Sequence, residues 1–189
     1  MKMRKVLLSC LMVLAVALVC IFALSTESQA TTVIKNGSCG ANAMWALDNK
    51  GTLTITGSGA MDGYSWNGWD YSPWHSLESL IKKVVIKKGI TSIGREAFYS
   101  CGMVTEVVIP EGVTQIGWSA FKHCENLAKI TIPSTLESVD PWAFDGCFNL
   151  KDVYITDLHA WFNIDFETYS GVISCPMLYA ENLYLDGVK

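Results

Sequence analysis

Basic residues and histidines are scarce in this sequence. It has 14 Lys and Arg against 18 Asp and Glu, only three His, and a formal net charge of −4 at pH 7. A protein that neutralises nucleic-acid phosphates needs a basic face. The charge balance therefore argues against a nucleic-acid partner.

The sequence also lacks the motifs of common catalytic and metal sites. It contains no Cys-x-x-Cys pair, no nucleophile elbow and no glycine loop of the phosphate-binding type. His75, His123 and His159 are scattered, and a Cys-His pair would need Cys124 to point outward beside His123. We therefore predict a chain that is not an enzyme and that binds no cofactor and no metal.

Residues 1–30 have the pattern of an export signal. Three basic residues are followed by an apolar run over residues 6–24 and by small residues at Ser28 and Ala30. We predict a signal peptide that is cleaved here, so that the protein is secreted or displayed at the cell surface. Because the apolar run is long, the alternative is a leader retained as a membrane anchor, which would be the protein's only membrane contact. Residues 31–189 alone carry 11 Lys and Arg against 17 Asp and Glu, a net charge of −6 with His neutral.

Repetition is what the sequence has in abundance. The same residue types recur every 23 positions, which is the signature of a solenoid whose turns bury their apolar faces against one another. The recurring positions are Val84, Val107, Ile130 and Val153; Ile86, Ile109, Ile132 and Ile155; Ile90, Val113 and Leu136; Ile93, Ile116 and Val139; Ala97, Ala120 and Ala143; Phe98, Phe121 and Phe144; and Cys101, Cys124 and Cys147.

Each turn of the repeat predicts a strand followed by a short helical segment. The stretch "KITIP" at 129–133 alternates polar and apolar residues as a half-buried strand does, and its proline ends the strand. The following "AFxxC" is too short for an independent helix and predicts a single helical or 3₁₀ turn that presses Phe inward. The fold class is therefore a β-rich solenoid with strands on one face and short helical or 3₁₀ turns on the other.

The segments around the repeats predict a cap and an irregular end. "MWALDNKGTLTI" at 44–55 alternates on both sides of a turn at 48–51, which is typical of a hairpin. We assign 31–80 to an amino-terminal β cap with an aromatic loop, 81–155 to three repeats plus the start of a fourth, and 156–189 to an irregular, truncated repeat. An uncovered apolar end favours aggregation, so we expect either a fragment of a longer repeat protein or an end that pairs with another molecule.

The repeats resemble a known family. "VVIPEGVTQIGWSAFKHCENLAK" and "ITIPSTLESVDPWAFDGCFNLKD" are similar to the BspA-like leucine-rich repeats of bacterial surface and secreted proteins. The resemblance is strong over residues 84–155, and "CGANAMWALDNKGTLTITGSGAM" resembles the amino-terminal cap of such proteins. It implies a leucine-rich-repeat solenoid that mediates adhesion or recognition, with a host or bacterial surface protein as partner and polysaccharide as a second possibility.

Outward positions on successive strands form the main candidate site. In a solenoid they lie side by side in two files, and here their charges alternate from turn to turn, which suits a protein partner better than a polyanion. The alternative is a solvated face without a partner. The candidate ligand-binding residues are Lys83, Val85, Glu106, Val108, Lys129, Thr131, Asp152 and Tyr154.

Aromatic residues in the cap loop form a rival, sugar-binding site. Trp66, Trp69 and Tyr71 could stack on sugar rings. We favour the alternative, in which these rings form a lid on the first repeat and Trp74 is the most buried of the group. Trp118 and Trp142 belong to separate columns of the repeat, so we expect no shared sugar-binding surface from them.

The column formed by Cys101, Cys124 and Cys147 predicts packing in the core and not a reactive or metal-binding site. Stacked turns bring the three thiols into a line and not around a point, which does not suit a metal site. We expect them to be buried as small apolar residues.

Overall fold

A computed structural model describes residues 30–66 and 70–186. Residues 1–29, which hold nearly all of the predicted leader, lie outside the described residues, as does Trp69. None of the helices in the described ranges is long and apolar enough to cross a membrane.

The described chain consists mainly of short strands. A 3₁₀ helix at His75–Leu80 precedes the repeats, another lies at Pro176–Leu178, and the one α-helix of the described residues, α1, spans Leu158–Phe162. The strands are β1 Val33–Ser38, β2 Asn42–Asp48, β3 Thr52–Ala60, β4 Lys83–Ile86, β5 Ile90–Ile93, β6 Glu106–Val108, β7 Gln115–Ile116, β8 Lys129–Ile132, β9 Ser138–Val139, β10 Asp152–Ile155, β11 Asp165–Phe166, β12 Thr168–Tyr169, β13 Val172–Ile173 and β14 Asn182–Leu185.

Two parallel ladders diverge from the long strand β3. Its first half pairs with β4 and continues through β6, β8, β10 and β14, while its last residues pair with β5 and continue through β7, β9 and β11. Gly57 and Gly59 have positive φ angles of 104° and 82°, a conformation that glycine adopts without steric cost, and they lie where the strand leaves one ladder for the other. On its other side β3 forms the predicted hairpin with β2, which in turn pairs with β1.

The register confirms the predicted solenoid. Val107 on β6 is paired with Val84 on β4 and with Ile130 on β8, and Ile130 is paired with Val153 on β10. All four side chains are buried. Each apolar column of the sequence is therefore a continuous row in the core.

Aromatic rings stack along the core. Phe98 and Phe121 are parallel with ring centroids 5.2 Å apart, and Phe121 and Phe144 are parallel at 5.6 Å. Trp74 extends the stack by lying 5.7 Å from Phe98, and its indole nitrogen donates a hydrogen bond to the Ala97 carbonyl at 2.9 Å. The prediction that Trp74 is the buried member of the lid is confirmed, since its side chain is fully buried.

The segments that contain "AFxxC" differ in detail from a continuous helical turn. Each has the three-residue backbone hydrogen bonds of 3₁₀ geometry, but non-glycine residues with positive φ, such as Ser119 and His123, interrupt the segment. The intervening N–H groups donate instead to the next turn, so this side of the solenoid also has a backbone ladder. Its bonds include Glu96 N to Trp118 O at 2.9 Å, Phe98 N to Ala120 O at 2.8 Å and Ser100 N to Lys122 O at 2.8 Å.

The turns at both ends of the repeat are longer than the internal ones. Leu53 of β3 is paired with Val84 of β4, 31 positions later, and Asp152 of β10 is paired with Asn182 of β14, 30 positions later. The second interval contains α1, whose first turn is capped by the Asp157 side chain accepting a hydrogen bond from Ala160 N at 2.9 Å. The ladder thus continues beyond the regular period at each end.

Candidate functional site

Outward residues of the first ladder form a flat surface of two files, which we call the sheet face. The eight predicted residues all belong to it. The register also adds four residues that the 23-residue period does not reach. The first file is Thr52, Lys83, Glu106, Lys129, Asp152 and Asn182, and the second is Thr54, Val85, Val108, Thr131, Tyr154 and Tyr184.

Charges of both signs alternate along the first file. Lys83, Glu106 and Lys129 are exposed, and none of them takes part in the ion pairs found among residues 30–66 and 70–186. Asp152 is half-buried and accepts a hydrogen bond from the Asn182 amide at 2.9 Å. The file therefore presents exposed charges of both signs on neighbouring strands, none of them held in a close ion pair among the described residues.

The second file supplies apolar and aromatic surface. Val108 is 49% exposed, although it lies in the middle of a sheet, and Val85 beside it is half-buried. At the carboxyl-terminal end Tyr154 stacks on Tyr184 with ring centroids 4.7 Å apart and planes 11° from parallel. The two tyrosines thus form one aromatic surface on neighbouring strands.

A hollow lies at the amino-terminal half of this surface. It has a volume of about 320 Å³ and is bordered by side chains of β4 and β6 together with two lysines of the following turn. Its lining includes Lys83, Val85, Lys87, Lys88 and Val108. A protruding apolar side chain with an acidic neighbour would fit this combination of shape and charge.

The predicted sugar site in the cap loop is not assembled from its described members. Trp66 is 50% exposed and lies 5.7 Å from Tyr99, whereas Tyr71 is 44% exposed and stacks on His75 at 4.3 Å. Each ring thus has a different neighbour, and the recess that they both border measures only about 10 Å³. Trp66 does lie against the first repeat, as a lid would, although its side chain and that of Tyr71 remain partly exposed to solvent.

Trp118 and Trp142 are in contact although they belong to separate columns of the repeat. Their ring centroids are 5.2 Å apart, and the Tyr169 ring lies 5.2 Å from each of them in an edge-to-face arrangement. The contact is diagonal between neighbouring turns. Trp142 has a positive φ of 61°, and this uncommon backbone conformation sets the direction of its side chain.

The three column thiols are buried, as predicted. Cys124 donates a weak hydrogen bond from Sγ to the Phe98 carbonyl at 3.2 Å, and Cys147 donates one to the Phe121 carbonyl at the same distance. Burial raises the pKa of Cys147 to about 12 and raises the pKa values of Cys101 and Cys124 as well. The nucleophilic thiolate form is thereby suppressed.

This burial predicts a clear pattern of alkylation. In the native chain at pH 8.5, iodoacetamide is expected to leave Cys101, Cys124 and Cys147 unmodified, and in urea to modify all three. Peptide mass spectrometry measures the modified fraction at each position. Cys175, which is only half-buried, is the internal control and should react first. Rapid native labelling of Cys124 would contradict its buried position.

The part of the chain that the structure describes contains no group of side chains arranged as a metal site. Within those ranges, no three His, Cys, Asp or Glu side chains are grouped closely enough to hold an ion. His123 and Cys124 do not face each other, because the thiol points into the core while the imidazole makes an edge contact with Tyr99 at 5.5 Å.

Comparison with known proteins identifies the repeat. Residues 76–169 match the family model described as BspA type leucine rich repeat region, in six copies. A search of curated proteins found no match.

Three solved structures are similar to the chain. A leucine-rich repeat protein from Eubacterium ventriosum is 22% identical with a TM-score of 0.46, covering 65% of this chain and 44% of that one. A leucine rich cell surface protein from Faecalibacterium prausnitzii is 19% identical with a TM-score of 0.47, covering 76% of this chain and 44% of that one. The leucine rich repeat protein of T. pallidum is 23% identical with a TM-score of 0.35, covering 65% and 56%. The chain therefore spans less than half the length of the first two.

Proposed function

Because residues 76–169 belong to the BspA-type leucine-rich-repeat family, we propose that this chain is a non-catalytic module that recognises proteins and acts in adhesion at a bacterial surface. It is secreted or displayed at the surface through the leader. The observation that carries the proposal is the sheet face, on which unpaired charges of alternating sign flank a file of exposed apolar and aromatic side chains.

The composition of the sheet face supports a protein as the partner. Protein interfaces combine an apolar or aromatic centre with polar groups around it. Here Val108 and the Tyr154–Tyr184 pair supply the apolar component, and the lysines and carboxylates of the first file supply the polar one. A polyanion that followed the first file would meet Glu106 and Asp152 between and beside its lysines, so charges of alternating sign suit it less well than a protein.

The rigidity of the surface supports recognition without rearrangement. Among the described residues, every strand of the sheet face except β14 is hydrogen-bonded to a strand on each side, and the turns are fixed by a second ladder. A surface that is already ordered loses little conformational entropy on binding. Host matrix or bacterial surface proteins are the partner class that we propose.

A double substitution in the second file tests the sheet face. Val108→Asp combined with Tyr154→Ala is expected to weaken binding at least about 30-fold, since truncated central residues cost about 2 kcal/mol or more and each 1.4 kcal/mol is tenfold in Kd. Surface plasmon resonance against a panel of extracellular-matrix and bacterial surface proteins gives the affinity. The melting temperature should change by only a few degrees, because neither side chain is in the core.

Val172→Asp is the matched control for this test. Val172 is an exposed strand valine on the separate β12–β13 hairpin, so the same change in charge is made outside the sheet face. It should leave the affinity unchanged. Equal losses from Val172→Asp and from the double variant would show that the sheet face is not the binding surface.

A further inference from the structure

Four aromatic rings line a second groove, on the turns that follow the short ladder. Trp66, Tyr99, Trp118 and Trp142 border a volume of about 270 Å³, which we call the aromatic groove. The rings of Trp66 and Tyr99 are 5.7 Å apart, and those of Trp118 and Trp142 are 5.2 Å apart. Two pairs of rings from different parts of the chain thus face one space.

The position of these rings is fixed by contacts outside the groove. Glu96 accepts a hydrogen bond from the backbone N–H of Trp66, which ties the cap loop to the first turn. Tyr169, from the irregular end of the chain, contacts both Trp118 and Trp142. The groove is therefore built from the cap, the repeats and the irregular end together, and not from one column of the repeat.

The charged side chains in the groove are already paired. Arg95 contacts the Glu96 carboxylate with an N–O distance of 3.2 Å, and Lys122 contacts the Asp145 carboxylate at 2.8 Å. Partial burial acts to raise the pKa of Asp145, but the hydrogen bond and charge of Lys122, together with the hydrogen bond from Tyr179 and the nearby His123, outweigh it and hold the pKa below its ordinary value. The groove thus holds hydrogen-bond donors and an acceptor whose charges are balanced by their ion-pair partners, Asp145 lying outside the lining.

The same cations cover part of the indole surface. The Lys122 ammonium lies 4.4 Å from the centroid of the Trp142 ring, and the Arg95 guanidinium carbon lies 5.8 Å from that of Trp118. These distances are within the range of cation–π attraction. A cationic ligand would have to displace them, so the groove is not suited to one.

From this combination we propose that the aromatic groove binds a neutral oligosaccharide. One face of a sugar ring carries C–H groups with partial positive charge, which are attracted to the negative faces of aromatic rings. Its hydroxyl groups both donate and accept hydrogen bonds, so they can use Glu96 as an acceptor and Arg95 and Lys122 as donors without breaking the ion pairs. Of the two described members of the predicted cap-loop site, Trp66 lines the aromatic groove and Tyr71 does not.

Two other ligand classes fit the groove less well. An acidic glycan would compete with Glu96 and Asp145 for the two cations and would leave a carboxylate unpaired. A proline-rich peptide also binds to aromatic grooves, but its backbone carbonyls only accept hydrogen bonds, so it offers Glu96 nothing to accept.

The size of the groove favours a short segment of a longer chain. Its volume of about 270 Å³ is near the lower end of the roughly 300–1,000 Å³ that ligand pockets occupy. The groove lies on the surface, with Trp66 half exposed, so a glycan could continue beyond it in either direction. We expect weak affinity for a single chain.

Isothermal titration calorimetry on the full chain tests the proposal. Cellohexaose and maltohexaose are the neutral probes, hexagalacturonate is the anionic probe and decaproline is the peptide probe. At least one neutral hexasaccharide is expected to bind with a Kd of about 1 mM or tighter, and more tightly than either of the other probes.

Substitutions locate the binding. Trp142→Ala and Trp66→Ala are each expected to weaken it about tenfold or more, and Trp66→Ala provides the test if the half-buried Trp142 cannot be removed without unfolding. Tyr71→Ala is the control, because Tyr71 is a similarly exposed cap-loop ring outside the groove. The sheet-face double variant should keep full sugar affinity, so that failure of one site is distinguishable from failure of the other.

Three results would overturn the proposal. The first is that neither neutral hexasaccharide binds at several millimolar. The second is that hexagalacturonate or decaproline binds more tightly than both. The third is that a neutral sugar binds but with an affinity that Trp66→Ala does not change.

Discussion

Replacing Phe121 with alanine is expected to lower the free energy of unfolding by about 3–5 kcal/mol. Its ring is fully buried and lies between Phe98 at 5.2 Å and Phe144 at 5.6 Å. The neighbours cannot close the cavity, because the backbone of each turn is hydrogen-bonded to the next. Phe121 N donates a hydrogen bond to Ala143 O at 2.8 Å, and this bond fixes the distance between the turn of Phe121 and the turn of Phe144.

Urea denaturation followed by circular dichroism measures this loss. Phe162→Ala is the matched control, since the Phe162 side chain is 74% exposed and lies on α1, where alanine is well tolerated. We expect the control to change the unfolding free energy by no more than about 0.5 kcal/mol. A loss below about 1.5 kcal/mol for Phe121→Ala would contradict a close-packed stack, since that is less than the transfer of the ring alone.

The regular part of the fold could be predicted from the sequence because its geometry repeats. In a solenoid the step between paired residues is constant, so a column such as Val84, Val107, Ile130 and Val153 gives the strand, its inward face and its register together. The outward files then follow from the alternation of side chains along a strand.

The ends of the sheet face could not be located by the same period. "TLTI" at 52–55 and "NLYL" at 182–185 have the alternation of a repeat strand, but they are 31 and 30 positions from their partners. The extra residues form the aromatic loop at one end and α1 with the β12–β13 hairpin at the other. A comparison of strand patterns without a fixed interval would have found Thr54 and Tyr184.

The aromatic groove was missed for a different reason. The 23-residue period relates equivalent positions of successive turns, whereas Trp118 and Trp142 meet diagonally and Tyr169 comes from the irregular end. Positive φ angles at Ser119 and Trp142 set the directions of these side chains, and residue type alone does not predict that conformation outside glycine. Contacts of this kind depend on backbone detail that the repeat pattern does not contain.

Gly94→Ala is the second substitution with a large expected effect. A Cβ atom at Gly94 would lie 1.8 Å from the backbone oxygen of Asp62, which belongs to the cap. The cap and the first turn are joined here by hydrogen bonds from Met61 N to Ser92 O at 3.2 Å and from Tyr64 N to Arg95 O at 2.9 Å. Both bonds involve backbone that must move to admit the methyl group. We therefore expect a loss at or above the upper end of the roughly 1–3 kcal/mol typical of overpacking.

The loss of stability caused by Gly94→Ala should appear first at the contact between the cap and the first turn, and only then in the whole chain. Hydrogen exchange read by mass spectrometry is expected to increase in residues 52–64, where the cap contacts the first turn, and to remain unchanged around Phe144. Gly102→Ala is the control, because the nearest atom to its added Cβ is 3.8 Å away. This change should be neutral or slightly stabilising, since it restricts only the unfolded chain. If Gly94→Ala and Gly102→Ala behaved alike, the close approach of the cap to Gly94 would be refuted, and with it the role of this glycine in joining the cap to the repeats.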